Sequence, residues 1–134
     1  MTKTFLLEIY TPYGLYFSKE VEFLSVYSEE YKLGILPNHA DLITTLKISS
    51  MEITFDNHKV EYAIGGGILK IENKKATLLL NSIESEDEID LARAIEAKKR
   101  AEERLEHSEN IDISRAKLAL SRAINRISVK ENKN

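Results

Sequence analysis

Apolar and polar residues alternate with a period of two through the first half of the chain. The alternation is clearest at residues 5–10, 21–27, 51–55, 60–64 and 76–80. Turn-forming sequences lie between these segments, namely Thr11-Pro12-Tyr13-Gly14, Asp56-Asn57-His58 and Asn73-Lys74-Lys75. Alternation bounded by such turns is typical of half-buried strands. Because no helical pattern separates the strands, we expect an antiparallel β-sandwich or a flattened barrel over residues 1–84.

After Glu84 the spacing of apolar residues becomes helical. Ser85-Glu86-Asp87-Glu88 has the S-x-x-E form of a capping box, which predicts a helix from there to about Glu106. Asp112 is a natural N-cap for a second helix, which we expect to reach about Ser128. Residues 85–134 are therefore predicted to form a two-helix hairpin that is distinct from the sandwich.

Each predicted helix carries an apolar stripe with alternating steps of three and four residues. The stripes consist of Ala94, Ala97, Ala101 and Leu105 on the first helix and of Ile113, Ala116, Leu120, Ala123 and Ile127 on the second. Matching stripes joined by a short loop indicate an antiparallel hairpin. Since each alanine buries little area, we expect a modestly stable hairpin that can separate from its partner surface.

Composition narrows the range of functions. The chain has 134 residues, of which 19 are basic and 22 acidic, and its net charge is −3. This balance argues against nucleic-acid binding, which needs a surplus of Lys and Arg. The absence of cysteine excludes disulfides and thiol nucleophiles. No run approaches the roughly 20 apolar residues of a membrane span, and the N-terminus lacks a signal-peptide pattern. We expect a soluble, cytoplasmic protein.

A catalytic or metal site is difficult to assemble from this sequence. The three histidines, His39, His58 and His107, are scattered and lack metal-ligand spacing. None of the serines lies in G-x-S-x-G or S-x-x-K. Gly65-Gly66-Gly67 is followed by Ile68 rather than by G-K-[ST], so it is not a P-loop. We expect it to form a bulge or tight corner between strands.

Six arginines on the predicted helices are the main candidate binding groups. They are Arg93, Arg100, Arg104, Arg115, Arg122 and Arg126. The pairs at 93 and 100 and at 122 and 126 each share a helix face, so a folded hairpin would bring guanidinium groups together around one anion. Alternatively, each arginine pairs with an acid on its own helix, because Asp90–Arg93 and Glu96–Arg100 have suitable spacing. Spacing alone leaves both interpretations open.

Four segments, in order, resemble motifs of the F-type ATP synthase epsilon subunit family. Gly34-Ile35-Leu36-Pro37-Asn38-His39-Ala40 resembles its G-[IV]-L-P-x-H signature, and Tyr62 to Leu69 resembles its glycine corner with flanking strands. Ile89 to Ala94 matches its I-D-x-x-R-A helix start, and Arg122 to Ile127 resembles its R-A-x-x-R-[LIM] end. The resemblance covers nearly the whole chain. A set of motifs in this order is far more specific than any one of them.

The resemblance implies a ten-stranded β-sandwich followed by a two-helix hairpin. It implies a non-catalytic rotor subunit, located peripherally at the cytoplasmic face of the bacterial membrane. The implied partners are the gamma subunit, the c-ring and the alpha and beta subunits of the F1 head, so membrane contact is only indirect. The hairpin is implied to inhibit ATP hydrolysis when it extends toward the head. The principal alternative is a free-standing nucleotide sensor that uses the same arginines.

The resemblance also implies ATP as a regulatory ligand that favours the folded hairpin, with no obligatory cofactor or metal. The implied ATP-binding residues are Glu84, Ile89, Asp90, Arg93, Ala94, Arg100, Arg122 and Arg126. All eight have the residue types of the family. Many members have glycine where this chain has Asn38, a departure that asparagine tolerates because it adopts left-handed backbone conformations.

A second predicted site is the loop that carries the Gly-Ile-Leu-Pro motif. We expect this loop to face gamma and the polar loops of the c-ring, because it places apolar residues and a histidine at a surface, where loops commonly bind partners. The predicted contact residues are Glu30, Leu36, Pro37, Asn38 and His39.

Overall fold

A computed structural model describes residues 3–107 and 113–131. These residues form eight strands followed by two helices. The strands are β1 (Phe5–Thr11), β2 (Gly14–Val21), β3 (Phe23–Tyr27), β4 (Lys32–Ile35), β5 (Leu42–Phe55), β6 (His58–Glu72), β7 (Lys75–Leu80) and β8 (Ile83–Ser85). The helices are α1 (Leu91–His107) and α2 (Ile113–Glu131). Strands therefore precede helices, as the change of apolar period predicts.

All eight strands belong to one sheet that folds over a common core. Its order is β2-β1-β7-β6-β5-β3-β4, and β8 pairs separately with β6. Two expectations are wrong in detail. The sheet is mixed rather than purely antiparallel, because β1 pairs with β7 in parallel. The described residues contain eight strands rather than about ten, because β5 and β6 run unbroken for 14 and 15 residues.

The two predicted hairpin turns between the long strands are confirmed. Asp56 and Asn57 have φ of 52° and 64°, and Asn73 and Lys74 have φ of 52° and 65°. Two successive residues with positive φ form the type I′ turn, whose twist matches that of the flanking strands. These turns set the register of β5 with β6 and of β6 with β7.

The glycine triplet forms the predicted tight corner inside β6. There β6 leaves β7, its last pair being Gly67 with Leu80, and continues with β8 from Ile64 and Ile83. A Cβ on Gly67 would lie 2.1 Å from the carbonyl oxygen of Leu79. The corner therefore requires a residue without a side chain.

The core lies within the strands. Its fully covered members include Leu7, Ile9, Leu24, Val26, Ile53, Leu69 and Leu78, each with 0% exposure. All members of this main cluster lie between Phe5 and Ile83, so none comes from the helices. A smaller cluster of Ala63, Ile89 and Val129 joins α2 to the sheet.

The predicted capping box does not begin α1. The backbone N–H of Ser85 donates to Glu88 Oε1 at 2.8 Å, but this pair closes an isolated turn and not a helix. The helix begins at Leu91, and Asp90 Oδ1 accepts the N–H of Arg93 at 3.2 Å, as an N-cap does. At the other ends, α1 finishes at His107 and α2 extends to Glu131, beyond the predicted Ser128. The predicted cap Asp112 lies outside the described residues.

The alanine seam between the helices forms largely as predicted. Ala94, Ala101, Ala116 and Ala123 are buried. Ala97, Leu105, Leu120 and Ile127 are half-buried. Ile113 is the exception, because 52% of it is exposed at the start of α2. Val129, which the stripe omits, is buried instead.

Polar side chains of α2 fix the hairpin on the sheet. Asn125 Nδ2 donates to the carbonyl oxygens of Ser49 on β5, at 2.8 Å, and of Ile64 on β6, at 3.3 Å. Lys130 Nζ donates to the carbonyl oxygen of Glu86 at 2.8 Å. The structure therefore represents the folded form of the hairpin, held by directional bonds as well as by a small apolar contact.

Candidate functional site

A cavity lies where the end of β8 and the segment before α1 meet the hairpin. We call residues 84–90, which include the last two residues of β8, the linker turn. The cavity has a volume of about 240 Å³. It is lined by Glu84, Glu88, Asp90, Arg93, Ala94, Ala97, Arg100 and Arg126. Because both the first half of α1 and the last half of α2 contribute, the site exists only when the hairpin is folded.

The structure brings together six of the eight residues predicted to bind ATP. Glu84 and Asp90 come from the linker turn, Arg93, Ala94 and Arg100 from α1, and Arg126 from α2. The other two lie close by. Ile89, itself part of the linker turn, is buried in a cluster with Ala63 and Val129. Arg122 lines a small adjoining cavity with Glu84, Asn125 and Arg126.

An ion pair within the site joins α2 to the end of β8, a contact that neither interpretation of the arginines includes. Arg126 Nε donates to Glu84 Oε1 at 2.5 Å, with about a third of each side chain exposed. In the described ranges, no ion pair joins Arg93 to Asp90 or Arg100 to Glu96. The two local pairs that the spacing suggested are therefore not formed. The positive charge of Arg126 is also already neutralised by Glu84 in the absence of a ligand.

Charge is distributed unevenly around the cavity. Its three carboxylates, Glu84, Glu88 and Asp90, all belong to the linker turn, and its three guanidinium groups belong to the helices. A ligand that fits this distribution carries negative charge at one end and hydrogen-bond donors at the other. Carboxylates only accept hydrogen bonds when they are ionised, and Arg only donates.

Two lining residues, Ala97 and Glu88, are absent from the predicted site, and Glu88 is the charged one. Its Oε1 accepts the N–H of Ser85 at 2.8 Å and the hydroxyl of Tyr16 at 2.6 Å. The backbone N–H of Ser85 and then the Tyr16 hydroxyl lower the pKa of Glu88 below its usual value. Burial and then the bond to Glu88 raise the pKa of Tyr16. The sequence gives no local signal for this pair, because 72 positions separate the two residues.

The predicted partner loop forms a separate site. Glu30, Leu36 and Asn38 are exposed, and Pro37 and His39 are half-buried. Asn38 has φ of 68°, so the asparagine keeps the left-handed conformation of the turn. His39 Nδ1 donates to the carbonyl oxygen of Ala40 at 2.7 Å, which fixes the ring. The loop packs beside Ile71 and Lys74, and it shares no lining residue with the arginine cavity.

Two classes of feature are absent from the described part of the chain. Neither of its helices is long and apolar enough to cross a membrane. It also contains no group of three or more His, Asp or Glu side chains placed to hold a metal ion.

The fold and the cavity define a class of protein, namely a β-sandwich that carries a helical hairpin, with a polar cavity lined by arginines and carboxylates where the two meet. Family models agree with this division. The model of the ATP synthase delta/epsilon chain β-sandwich domain matches residues 4–86, and that of the delta/epsilon chain long α-helix domain matches residues 87–131. The chain belongs to the family of ATP synthase delta/epsilon chains, and within it to the bacterial epsilon chains.

Curated relatives and solved structures support this assignment. The ATP synthase epsilon chain of Pelotomaculum thermopropionicum is 46% identical over 103 residues, which is 77% of each chain. That of Bacillus thuringiensis is 42% identical over 104 residues, or 78% of each chain. Among solved structures, a chain of the Euglena gracilis mitochondrial ATP synthase aligns with a TM-score of 0.79 at 16% identity, covering 97% of this chain and 81% of that one. A chain of the Tetrahymena thermophila enzyme aligns with a TM-score of 0.66 at 14% identity, covering 98% and 97%. At such identities these two likenesses show the fold alone.

Proposed function

We propose that this chain is a non-catalytic subunit of the central stalk of a bacterial ATP synthase, which couples ion flow to ATP synthesis and regulates ATP hydrolysis through its hairpin. Its partners would be gamma, the c-ring and the alpha and beta subunits, and it would lie peripherally at the cytoplasmic face of the membrane. Support comes from relatives that are named ATP synthase epsilon chains. The solved structures of similar fold come from assemblies described as F1/c-ring and as central stalk and c-ring.

The regulatory part of the proposal is that ATP binds in the cavity and stabilises the folded hairpin. One observation carries it, namely that six of eight residues chosen from sequence line a single cavity. In this arrangement the phosphates meet Arg93, Arg100 and Arg126, and the adenine lies toward the linker turn. A ligand shifts a conformational equilibrium only by its differential affinity for the two states. The difference in ATP affinity between the folded and the extended hairpin is large, because extension would separate α2 from the linker turn and divide the site.

In this mechanism the ATP phosphates compete with the Glu84 carboxylate for Arg126. An entering phosphate must share or displace the carboxylate that already holds Arg126. Without ligand, the Arg126–Glu84 ion pair holds α2 against the linker turn. Bound phosphate would hold Arg126 at the same place more strongly. Without ligand, that pair and the Asn125 bonds leave a folded state of limited stability, as expected for an alanine seam.

The stalk assignment is tested by cross-linking from the partner loop. Asn38→Cys and His39→Cys each introduce a single thiol, because the chain has no cysteine. In the assembled enzyme we expect a short linker that reacts with this thiol at one end and is photoactivated at the other to cross-link the chain to gamma or to c. Asp56→Cys is the control, since Asp56 is exposed in the turn at the opposite end of β6. Absence of cross-links from both loop positions in an assembled enzyme would contradict this placement, and a chain that never copurifies with gamma would support the free-standing sensor.

We further propose that the division near residue 84 separates a stable scaffold from a mobile regulator. A fragment of residues 1–86 should unfold cooperatively on heating, because the main apolar cluster ends at Ile83 and includes no helical residue. It should also assemble with gamma but lose regulation of hydrolysis. Circular dichroism during heating checks the first expectation. A fragment without a cooperative transition would show that sandwich and hairpin form a single cooperative unit.

A further inference from the structure

A side chain of the sandwich holds the linker turn from outside the cavity. The hydroxyl of Tyr16, on β2, donates to Glu88 Oε1 at 2.6 Å, and the same oxygen accepts the Ser85 N–H at 2.8 Å. Glu88 lines the arginine cavity, whereas Tyr16 does not. The bond therefore connects the cavity to β2, which is an edge strand of the sheet.

The geometry of Tyr16 suits it to a fixed contact. Its ring packs edge-on against that of Tyr62, with centroids 6.5 Å apart and an interplanar angle of 81°. Tyr62 is buried and pairs with Ser85 across β6 and β8. The packing of the two rings already limits the orientation of the Tyr16 side chain. The bond to Glu88 therefore costs little additional side-chain entropy. A short bond to an ionised carboxylate is among the stronger kinds of hydrogen bond.

Further bonds hold the same turn. The N–H of Glu86 donates to the carbonyl oxygen of Glu61 at 3.0 Å, and the N–H of Glu88 donates to that of Ser85 at 2.9 Å. These backbone bonds fix the path of the chain near β8. The Tyr16–Glu88 bond ties the turn to β2 through side chains, just before Ile89 and Asp90.

We propose that Tyr16 is a positioning residue for the ligand, acting through Glu88 to hold the linker turn in the shape that receives the nucleoside part. This inference rests on the proposed function. The two halves of the site come from different elements, because Glu84 and Asp90 lie in the linker turn while the three cavity arginines lie on the helices. Loosening the linker turn therefore affects a ligand that contacts both halves more than a ligand that contacts the arginines alone.

The test compares ATP with inorganic tripolyphosphate in calorimetric titrations of the full chain. Tyr16→Phe removes the hydroxyl and keeps the ring against Tyr62. We expect it to weaken ATP binding by about fivefold, the effect of losing one hydrogen bond, and to change tripolyphosphate binding by less than about twofold. Tyr13→Phe is the matched control, because Tyr13 is fully exposed in the turn between β1 and β2. Its replacement should leave the affinities for ATP and for tripolyphosphate unchanged.

A coupling experiment separates positioning from a general effect on stability. In a Glu88→Ala background the hydroxyl of Tyr16 has lost its acceptor, so adding Tyr16→Phe should cause no further loss of ATP affinity. Additive losses would overturn the proposal, as would an equal loss for ATP and tripolyphosphate or no loss at all with Tyr16→Phe. A wild-type chain that binds tripolyphosphate but not ATP would instead overturn the proposed function, and the inference with it.

Discussion

Replacing Arg126 with alanine is expected to weaken ATP binding by about ten- to hundredfold. A charge-assisted hydrogen bond contributes about 1.5–3 kcal/mol, and Arg126 is the only cavity arginine supplied by α2. Its loss also leaves Glu84 without its cationic partner, so that an unpaired carboxylate faces the incoming phosphates. Both effects act in the same direction. Calorimetric titration of the purified variant measures the change, and Arg93→Ala should cause a loss of similar kind.

The matched control for Arg126→Ala is Arg104→Ala. Arg104 is exposed on α1 and does not line the cavity, so its replacement removes one positive charge from the hairpin without touching the site. Equal losses in the two variants would mean that net charge rather than the arrangement of the cavity attracts ATP. At a fixed ATP concentration, Arg126→Ala should also shift the hairpin toward its extended form, which a pair of distance labels on β6 and α2 would detect.

Replacing Gly67 with alanine is expected to destabilise the sandwich by about 3 kcal/mol or more. The added Cβ would lie 2.1 Å from the Leu79 carbonyl oxygen and 2.9 Å from the Leu80 Cα. Both atoms belong to the backbone of β7, so no rotamer change relieves the overlap and the strands themselves must move. Urea denaturation measures the loss as a lower midpoint.

Gly14→Ala is the control for this prediction. Among the described residues, no atom lies within 4 Å of a Cβ added at Gly14, although its φ of 113° strains an alanine. We therefore expect a loss of about 1–2 kcal/mol from backbone strain alone. If Gly67→Ala destabilised the chain no more than Gly14→Ala, the close approach of β6 and β7 at the corner would be wrong.

The sequence predicts best those features that neighbouring residues determine. Asp56-Asn57 and Asn73-Lys74 predict their turns because asparagine and aspartate accept positive φ locally. The alanine stripe predicts the hairpin seam because helical spacing places its members on one face. Asn38 likewise keeps its turn by a property of its own side chain.

Features that depend on residues far apart in the sequence cannot be predicted from local patterns. The parallel pairing of β1 with β7 joins segments about 70 residues apart, and nothing in either segment specifies it. The true cap of α1 is Asp90 rather than Ser85, because Tyr16 and Ser85 both bind Glu88 and close a separate turn. Ile113 fits the apolar stripe but lies at the end of α2, where 52% of it remains exposed.

The site was predictable only in part for the same reason. Helical spacing identified the arginines but left open whether they pair locally or converge. The resemblance to a family then favoured convergence, and the structure places three of them around one cavity. The Arg126–Glu84 pair spans 42 positions and the Tyr16–Glu88 pair spans 72, so both depend on how the hairpin and the sandwich meet.

We propose above that the folded hairpin and the linker turn together form a binding site for ATP. Calorimetric titration of the purified wild-type chain with ATP, without other subunits, measures binding at this site alone. We predict saturable binding of one ATP per chain, which Arg126→Ala weakens and Arg104→Ala does not. No detectable heat at millimolar ATP would contradict the claim, and Arg93, Arg100, Arg122 and Arg126 would then be contacts to gamma and beta in the extended hairpin.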